Sequence, residues 1–240
     1  NIVMMLSALL GSAAVFEAGE TVLVLDELQD CPEARTALKF FRMDGRYDVI
    51  GTGSLLGVKG YGKEPKSIPV GSETVIDMYP LDFEEFLWAN GVGAPLVEML
   101  KKNLEMETPV PDALHNRMKQ LLLQYTVVGG MPDAVQTFVD TKQMDKVLRI
   151  QRDIVRSYED DMVKYAEKKD KSRIKECFQS IPRQLSKENK KFQYSVIKKG
   201  STASKYTGSL QWIEDAGIIA RCYNLSITEL PLDGNAEEEV

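Results

Sequence analysis

Thr21-Val22-Leu23-Val24-Leu25-Asp26-Glu27 is the stretch that decides the fold. Its continuous apolar run predicts a strand buried on both faces of a parallel sheet, and the run stops at two adjacent acids. Asp30 is then placed to cap a helix, with Pro32 in its first turn and Glu33 near its positive end. That helix, predicted over 33–42, carries Leu38 and Phe41 on one side. A second strand is predicted over 47–51 and ends in Thr52-Gly53-Ser54. Strand, helix and strand within about 30 residues make a βαβ crossover, which requires parallel strands. A third short strand is predicted over 74–78, after a Gly-rich loop.

Upstream, residues 1–16 carry no charge and include Ile2-Val3-Met4-Met5-Leu6 and Ala8-Leu9-Leu10. The run is shorter than the ~20 residues that a bilayer span needs, Gly11-Ser12 interrupts it, and it lacks the basic leader of a signal peptide. It reads as a buried helix of a larger protein cut on its N-terminal side. Downstream, Asp82 is placed to cap a helix over 83–90, ended by Gly91. The stretch 108–111 reads as a linker, followed by a helix over 112–126, a Gly129-Gly130-Met131-Pro132 corner and a helix starting at Pro132. Val147, Ile150, Ile154, Tyr158, Met162 and Tyr165 recur at helical spacing and predict a long amphipathic helix over 145–168. The next segment reads as a helix over 172–179, a short helix around Arg183, a strand-like 192–197, a helix over 201–216 and a strand over 218–223. Helices followed by a hairpin suggest a winged helix-turn-helix.

Composition narrows the function classes. The 240 residues are 43% hydrophobic and 28% charged, as expected of a globular protein. Cys31, Cys177 and Cys222 lie far apart with no CxxC pair, which argues against a disulfide framework or zinc knuckle and for reduced, cytoplasmic thiols. The single His115 cannot support a multi-histidine metal site and reads as a surface residue. The net charge of −6 argues against nucleic acid only as an average. From Lys168 to Lys205 there are twelve basic and three acidic residues, net +9, so the remainder carries −15.

Four apolar strand residues followed by Asp26-Glu27 form a Walker B arrangement. In a parallel α/β sheet, ligands bind beyond the carboxyl ends of the strands. Asp26 would hold the Mg²⁺ of ATP through its water shell, and Glu27 would orient the attacking water. Thr52 and Ser54, at the tip of the neighbouring strand, would occupy a sensor position able to reach the γ-phosphate or that water. The plainer alternative is that Asp26 and Glu27 only open a turn, and that Thr52-Gly53-Ser54 has no partner. No GxxxxGK[ST] phosphate cradle occurs in the chain, so this polypeptide is expected to bind ATP poorly and not to turn it over.

Lys187, Lys190, Lys191, Lys198, Lys199 and Lys205 flank the expected turn and recognition helix. They could contact DNA phosphates in a salt-dependent manner, or form a solvated face, or dock on an acidic partner. Trp212, Leu210 and Ile213 read as core, the methionines as core filler, and Asp160-Asp161 as a solvated face.

Together these residues resemble a family of bacterial and archaeal AAA+-superfamily P-loop ATPases. The resemblance rests on Leu25-Asp26-Glu27-Leu28-Gln29-Asp30-Cys31-Pro32, Gly53-Ser54-Leu55-Leu56-Gly57, Tyr79-Pro80-Leu81-Asp82-Phe83-Glu84-Glu85-Phe86-Leu87, Gly129-Gly130-Met131-Pro132, Tyr158-Glu159-Asp160-Asp161-Met162-Val163-Lys164-Tyr165 and Asn189-Lys190-Lys191-Phe192, in that order. It implies an α/β fold: an incomplete AAA+-like parallel sheet of P-loop NTPase type, an all-α lid and a winged helix-turn-helix. It implies ATPase residues over 1–110, the lid over 111–168, the winged helix over 169–228, and over 229–240 the start of a C-terminal domain similar to PD-(D/E)XK nucleases. The P-loop would lie upstream of residue 1. ATP and Mg²⁺ are the implied ligands, DNA, a protein partner or self-association the implied partners, and no membrane is implied. Many relatives carry an arginine in the loop before the third strand, where this chain has Val70-Gly71-Ser72-Glu73.

Overall fold

The computed structural model describes residues 2–11, 14–54, 71–166, 168–188 and 191–236. Lys190, Leu55-Leu56-Gly57, Asn189, Val70 and the glutamates of the tail lie outside them. The chain divides into two compact units, one of Asn1–Thr74 with Asp161–Val240 and the other of Val75–Asp160.

In the first unit, α1 (Ile2–Leu10) precedes β1 (Val22–Leu25), α2 (Pro32–Asp44) and β2 (Asp48–Gly51). The two strands pair in parallel, Val22 opposite Asp48 through Leu25 opposite Gly51. Gly45 ends α2 in the left-handed conformation, its amide donating to the Phe41 carbonyl, a common helix stop. Leu23, Phe41 and Val3 form the buried core here, with Phe16, Ala37, Tyr47 and Val49 packed against it.

Four local expectations change. Cys31, not Asp30, occupies the N-cap of α2, and no side chain caps it, because Asp30 is drawn into a 3-10 turn over Leu28–Asp30. β1 is buried on one face only: Leu23 is buried while Val22 and Val24 are 51% and 62% exposed. Val3 of α1 is buried, and Met4, Met5, Leu9 and Leu10 face outward. In both cases the described residues supply one covering layer, so apolar pattern does not become burial. Residues 74–78 form no strand among the described residues, whose sheet consists of β1 and β2.

The later part of the first unit holds α8 (Lys171–Leu185), α9 (Tyr194–Ile197) and α10 (Ala203–Asp215). Ile174 and Cys177 of α8 are buried, as are Ile197 of α9 and Tyr206, Leu210, Trp212 and Ile213 of α10. The two helices expected over 172–183 are one, running through Pro182. The strand-like 192–197 is helical from Tyr194, because the Gln184 side chain bonds both the amide and the carbonyl of Gln193 and ends the extended stretch there. The strand expected over 218–223 does not form among the described residues. Arg221 is turned back instead, its amide donating to Glu214 Oε1 at 3.2 Å and its guanidinium to Glu214 and Gln211. Beyond it, an antiparallel bridge joins Leu225 to Ala236.

The second unit is helical: α3 (Phe83–Ala89), α4 (Ala94–Glu105), α5 (Asp112–Val128), α6 (Pro132–Thr141) and the first part of α7 (Met144–Tyr165). Asp82 and Glu85 form a reciprocal capping box on α3. Phe86, Leu87, Val97, Leu121, Val128, Phe138 and Val147 share one core, which runs across residue 110. Its entry is fixed by backbone contact between two of the motifs quoted above. The Leu81 amide donates to the Gly130 carbonyl at 2.8 Å, and Tyr125 Oη donates to the Leu81 carbonyl at 2.8 Å. A Cβ on Gly130 would stand 2.1 Å from the Leu81 oxygen, so only glycine fits. Gln151 of α7 closes the corner by donating to the Val127 and Val128 carbonyls that end α5.

Gly208 is the control, because a Cβ there meets nothing within 4 Å. Gly130→Ala should cost about 1–3 kcal/mol through forced backbone displacement, and Gly208→Ala should gain up to about 1 kcal/mol of helix propensity. Thermal unfolding followed by circular dichroism should move the two midpoints in opposite directions.

Candidate functional site

The parallel register sets the carboxyl end of β1 beside that of β2, and Thr52 ties them together. Its amide donates to the Leu25 carbonyl and its carbonyl accepts from the Leu28 amide, both at 2.9 Å. Its hydroxyl donates to Asp26 Oδ1 and accepts from the Glu27 amide at 3.4 Å. Asp26, Glu27 and Thr52 are thus brought to one exposed strand end. Ser54 lies two residues beyond and is half-buried.

Two features allow the chain to turn so sharply here. Glu27 adopts φ 55, ψ 51, the left-handed region. Leu28 then folds under the strand end and is buried, its Cδ1 2.4 Å from where a Cβ on Gly51 would lie. Gln29 completes the turn, its Nε2 donating to Glu27 Oε2. The sequence reading gave Gln29 no role; the only signal was its position two residues after the second acid. Arg35 of α2 pairs with Glu73 at 2.8 Å, and Arg42 donates to the Gly71 carbonyl, so the segment 71–73 is strapped to α2.

One carboxylate and one hydroxyl at an open strand end suit Mg²⁺, which keeps most of its waters and takes one or two carboxylates. Among the described residues, no group of three or more His, Cys, Asp or Glu side chains forms a metal cage.

Lys198 pairs with Glu176 at 3.4 Å, and Lys187 donates to Gln193 Oε1 at 2.8 Å. Lys191, Lys199 and Lys205 are exposed. Cys177 is buried in α8, and burial pushes its thiol up to about 12, which removes it from thiolate chemistry.

Residues 4–87 match the family model of an AAA domain. The match supports an AAA-like P-loop ATPase family for the part of the chain that holds Asp26, Glu27 and Thr52, and with it nucleotide binding and an ATPase-type function at the family level. Residues 119–236 match a domain of unknown function (DUF8612), a single model that takes in both the helices from α5 onward and the basic segment. No curated protein and no solved structure matches the chain. No helix among the described residues is long and apolar enough to cross a membrane.

Two carboxylates of the later segment give it an acid limit. The Tyr206 hydroxyl, donating at 2.6 Å, and then Lys198 hold the Glu176 carboxyl below its usual value, against the opposing effect of burial. The bonds from Arg221 do the same for Glu214. Both groups are depressed, so their contribution to stability is complete above the usual glutamate value of 4.5 and is lost as pH falls through the lower folded values. In the double variant Glu176→Gln, Glu214→Gln, the midpoint of thermal unfolding should fall less steeply between pH 5 and pH 3 than in the parent chain.

Proposed function

We propose that the part of the chain matching an AAA domain serves ATP hydrolysis in the protein at its full natural length, with Asp26, Glu27, Thr52 and Ser54 as its acting residues, while these 240 residues, which hold no GxxxxGK[ST] cradle, bind ATP poorly and do not turn it over. The observation that carries this reading is the Thr52 hydroxyl, which bonds the Asp26 carboxylate and the Glu27 amide across the ends of two parallel strands. A turn that merely left a strand would have no need of a cross-strand hydroxyl held on both sides.

Asp26 would hold Mg²⁺ through its water shell. When bound, the ion neutralises charge on the β- and γ-phosphates. Thr52 orients the Asp26 carboxylate by donating to Oδ1 and so leaves Oδ2 for the hydrated ion. Glu27, one residue on and turned by its left-handed backbone, would accept a hydrogen bond from the attacking water and so orient its lone pair at the γ-phosphorus, ADP being the leaving group. Thr52 and Ser54, at the tip of β2, sense whether the γ-phosphate is present. In this reading residues 1–110 are the ATPase part, 111–168 a lid, 169–228 a winged-helix module and 229–240 the start of a further domain. The work done with the energy is a switch or motor action on a nucleic-acid or protein partner.

In the protein at its full natural length, Glu27→Gln should lower ATP turnover by about 100-fold or more while leaving nucleotide binding within about threefold. Turnover at the parent rate in that variant, measured by phosphate release, would remove Glu27 from the reaction, and no turnover by the parent would end the ATPase reading.

A second reading is favoured by the surface of α10, which turns Ser204, Lys205, Thr207 and Gln211 to solvent while burying Tyr206, Leu210 and Ile213. A polar face on a helix packed within a basic segment suits the major groove of duplex DNA, with the AAA-like part as scaffold. Charge reversal at Lys199 and Lys205 should then abolish duplex binding at low salt. The parent's affinity should fall steeply between 50 and 200 mM salt, as phosphate contacts require. Fluorescence anisotropy measures both, and salt-insensitive binding or none removes DNA as the partner.

A further inference from the structure

We propose that Gln29 is the positioning residue for the Glu27 carboxylate, holding it in the one orientation from which it can bond the attacking water. The inference rests on the ATPase reading above and adds a residue to it.

Three observations carry it. Gln29 Nε2 donates to Glu27 Oε2, so one carboxylate oxygen is fixed and Oε1 is left for water. The backbone between them is itself rigid. The Leu28 amide is bonded to Thr52, and the Asp30 amide donates to the Glu27 carbonyl at 2.9 Å. The two side chains therefore project from one fixed 3-10 turn and meet without long-range help. Finally, Gln29 Oε1 is buried and has no hydrogen-bond partner among the described residues.

That last point separates a chemical role from a structural one. A glutamine kept for folding would use both ends, since a buried acceptor without a donor destabilises the fold. Exchanging the two ends of the amide gives no relief, because the oxygen would then face a carboxylate. The position therefore tolerates a loss in stability in order to present one N–H to Glu27. A methionine of similar length would fill the same space with no stranded acceptor, and would be the better residue if only packing mattered.

Gln29→Met in the protein at its full natural length makes the test. The unfolding midpoint should stay level or rise, while kcat for ATP falls about tenfold or more and KM stays within about twofold. Gln29→Glu, which sets a second carboxylate against the first and has no N–H to give at neutral pH, should fall further. In the Glu27→Gln background, Gln29→Met should have no additional effect, because the two residues act as one unit. Three results overturn the proposal: Gln29→Met turning over ATP within about twofold of the parent; its loss of rate persisting in full in the Glu27→Gln background; or a lowered midpoint with kcat and KM changed together. Undiminished turnover by Glu27→Gln alone also overturns the inference, by removing Glu27 from the reaction; absence of ATP turnover by the parent is a different failure, since it removes the ATPase reading on which the inference rests.

Discussion

The parallel pairing of β1 with β2 is the constraint on which the candidate site depends. Because Leu25 lies opposite Gly51, the residues that follow each of them, Asp26 and Thr52, emerge side by side. No other register would do so. A shift of one residue would turn Leu23 out of the core and Thr52 away from Asp26 in the same step, since side chains alternate along a strand. Burial of one leucine and alignment of the polar strand ends are therefore the same specification. The crossover α2 fixes the direction of β2, and Phe41 on that helix packs in the same core as Leu23.

The helical unit illustrates a different use of motif residues. Leu81 and Gly130 are 49 positions apart in the sequence, yet their backbones touch. Tyr125 and Gln151 satisfy the carbonyls that the corner exposes. A backbone carbonyl in a core must find a donor, and the small side of Gly130 is what allows Leu81 to reach it. The Pro-Leu-x-Phe and Gly-Gly-Met-Pro stretches are thus two halves of one structural joint, and the chemistry of this chain has to be sought elsewhere.

What could be read in the sequence follows the range of the interactions. β1, α2 and β2 were legible because an apolar run and Pro32 act locally, and α3 was legible because Asp82 caps it and Gly91 ends it without outside help. The apolar stripe of α7 was legible for the same reason, through its spacing. Residues 74–78 and 218–223 show strand patterns that are only a capacity to pair. The first finds no neighbour among the described residues, and Glu214 captures Arg221 of the second. Tyr194 to Ile197 alternates as a strand would, but the side chain of Gln184, nine residues away, stops extension at Gln193. Helix α4 went unread, although Pro95 in its first turn is an ordinary helix start. At the site, Asp26, Glu27 and Thr52 could be named from residue type and position at strand ends. Gln29 could not, because its contact with Glu27 exists only once the chain enters a left-handed turn.

That turn bears on why glutamate stands at position 27. Three non-glycine residues among those described have positive φ: Glu27, Glu107 and Lys142. Lys142 is the C-cap of α6 and Glu107 follows the C-cap of α4, where the left-handed conformation is an ordinary way to end a helix. Glu27 ends no helix. It leaves a strand and enters a 3-10 turn, a place where glycine or asparagine would adopt the same backbone at about 1–2 kcal/mol less cost. Neither of those residues could set a carboxylate within reach of both Gln29 and the space beyond Asp26. The strain is tolerated only because the Thr52 hydroxyl and the fixed Leu28 amide hold the backbone on either side. Local conformation favours another residue at this position, and the surrounding bonds keep an acid there, which is what the proposed role of Glu27 requires.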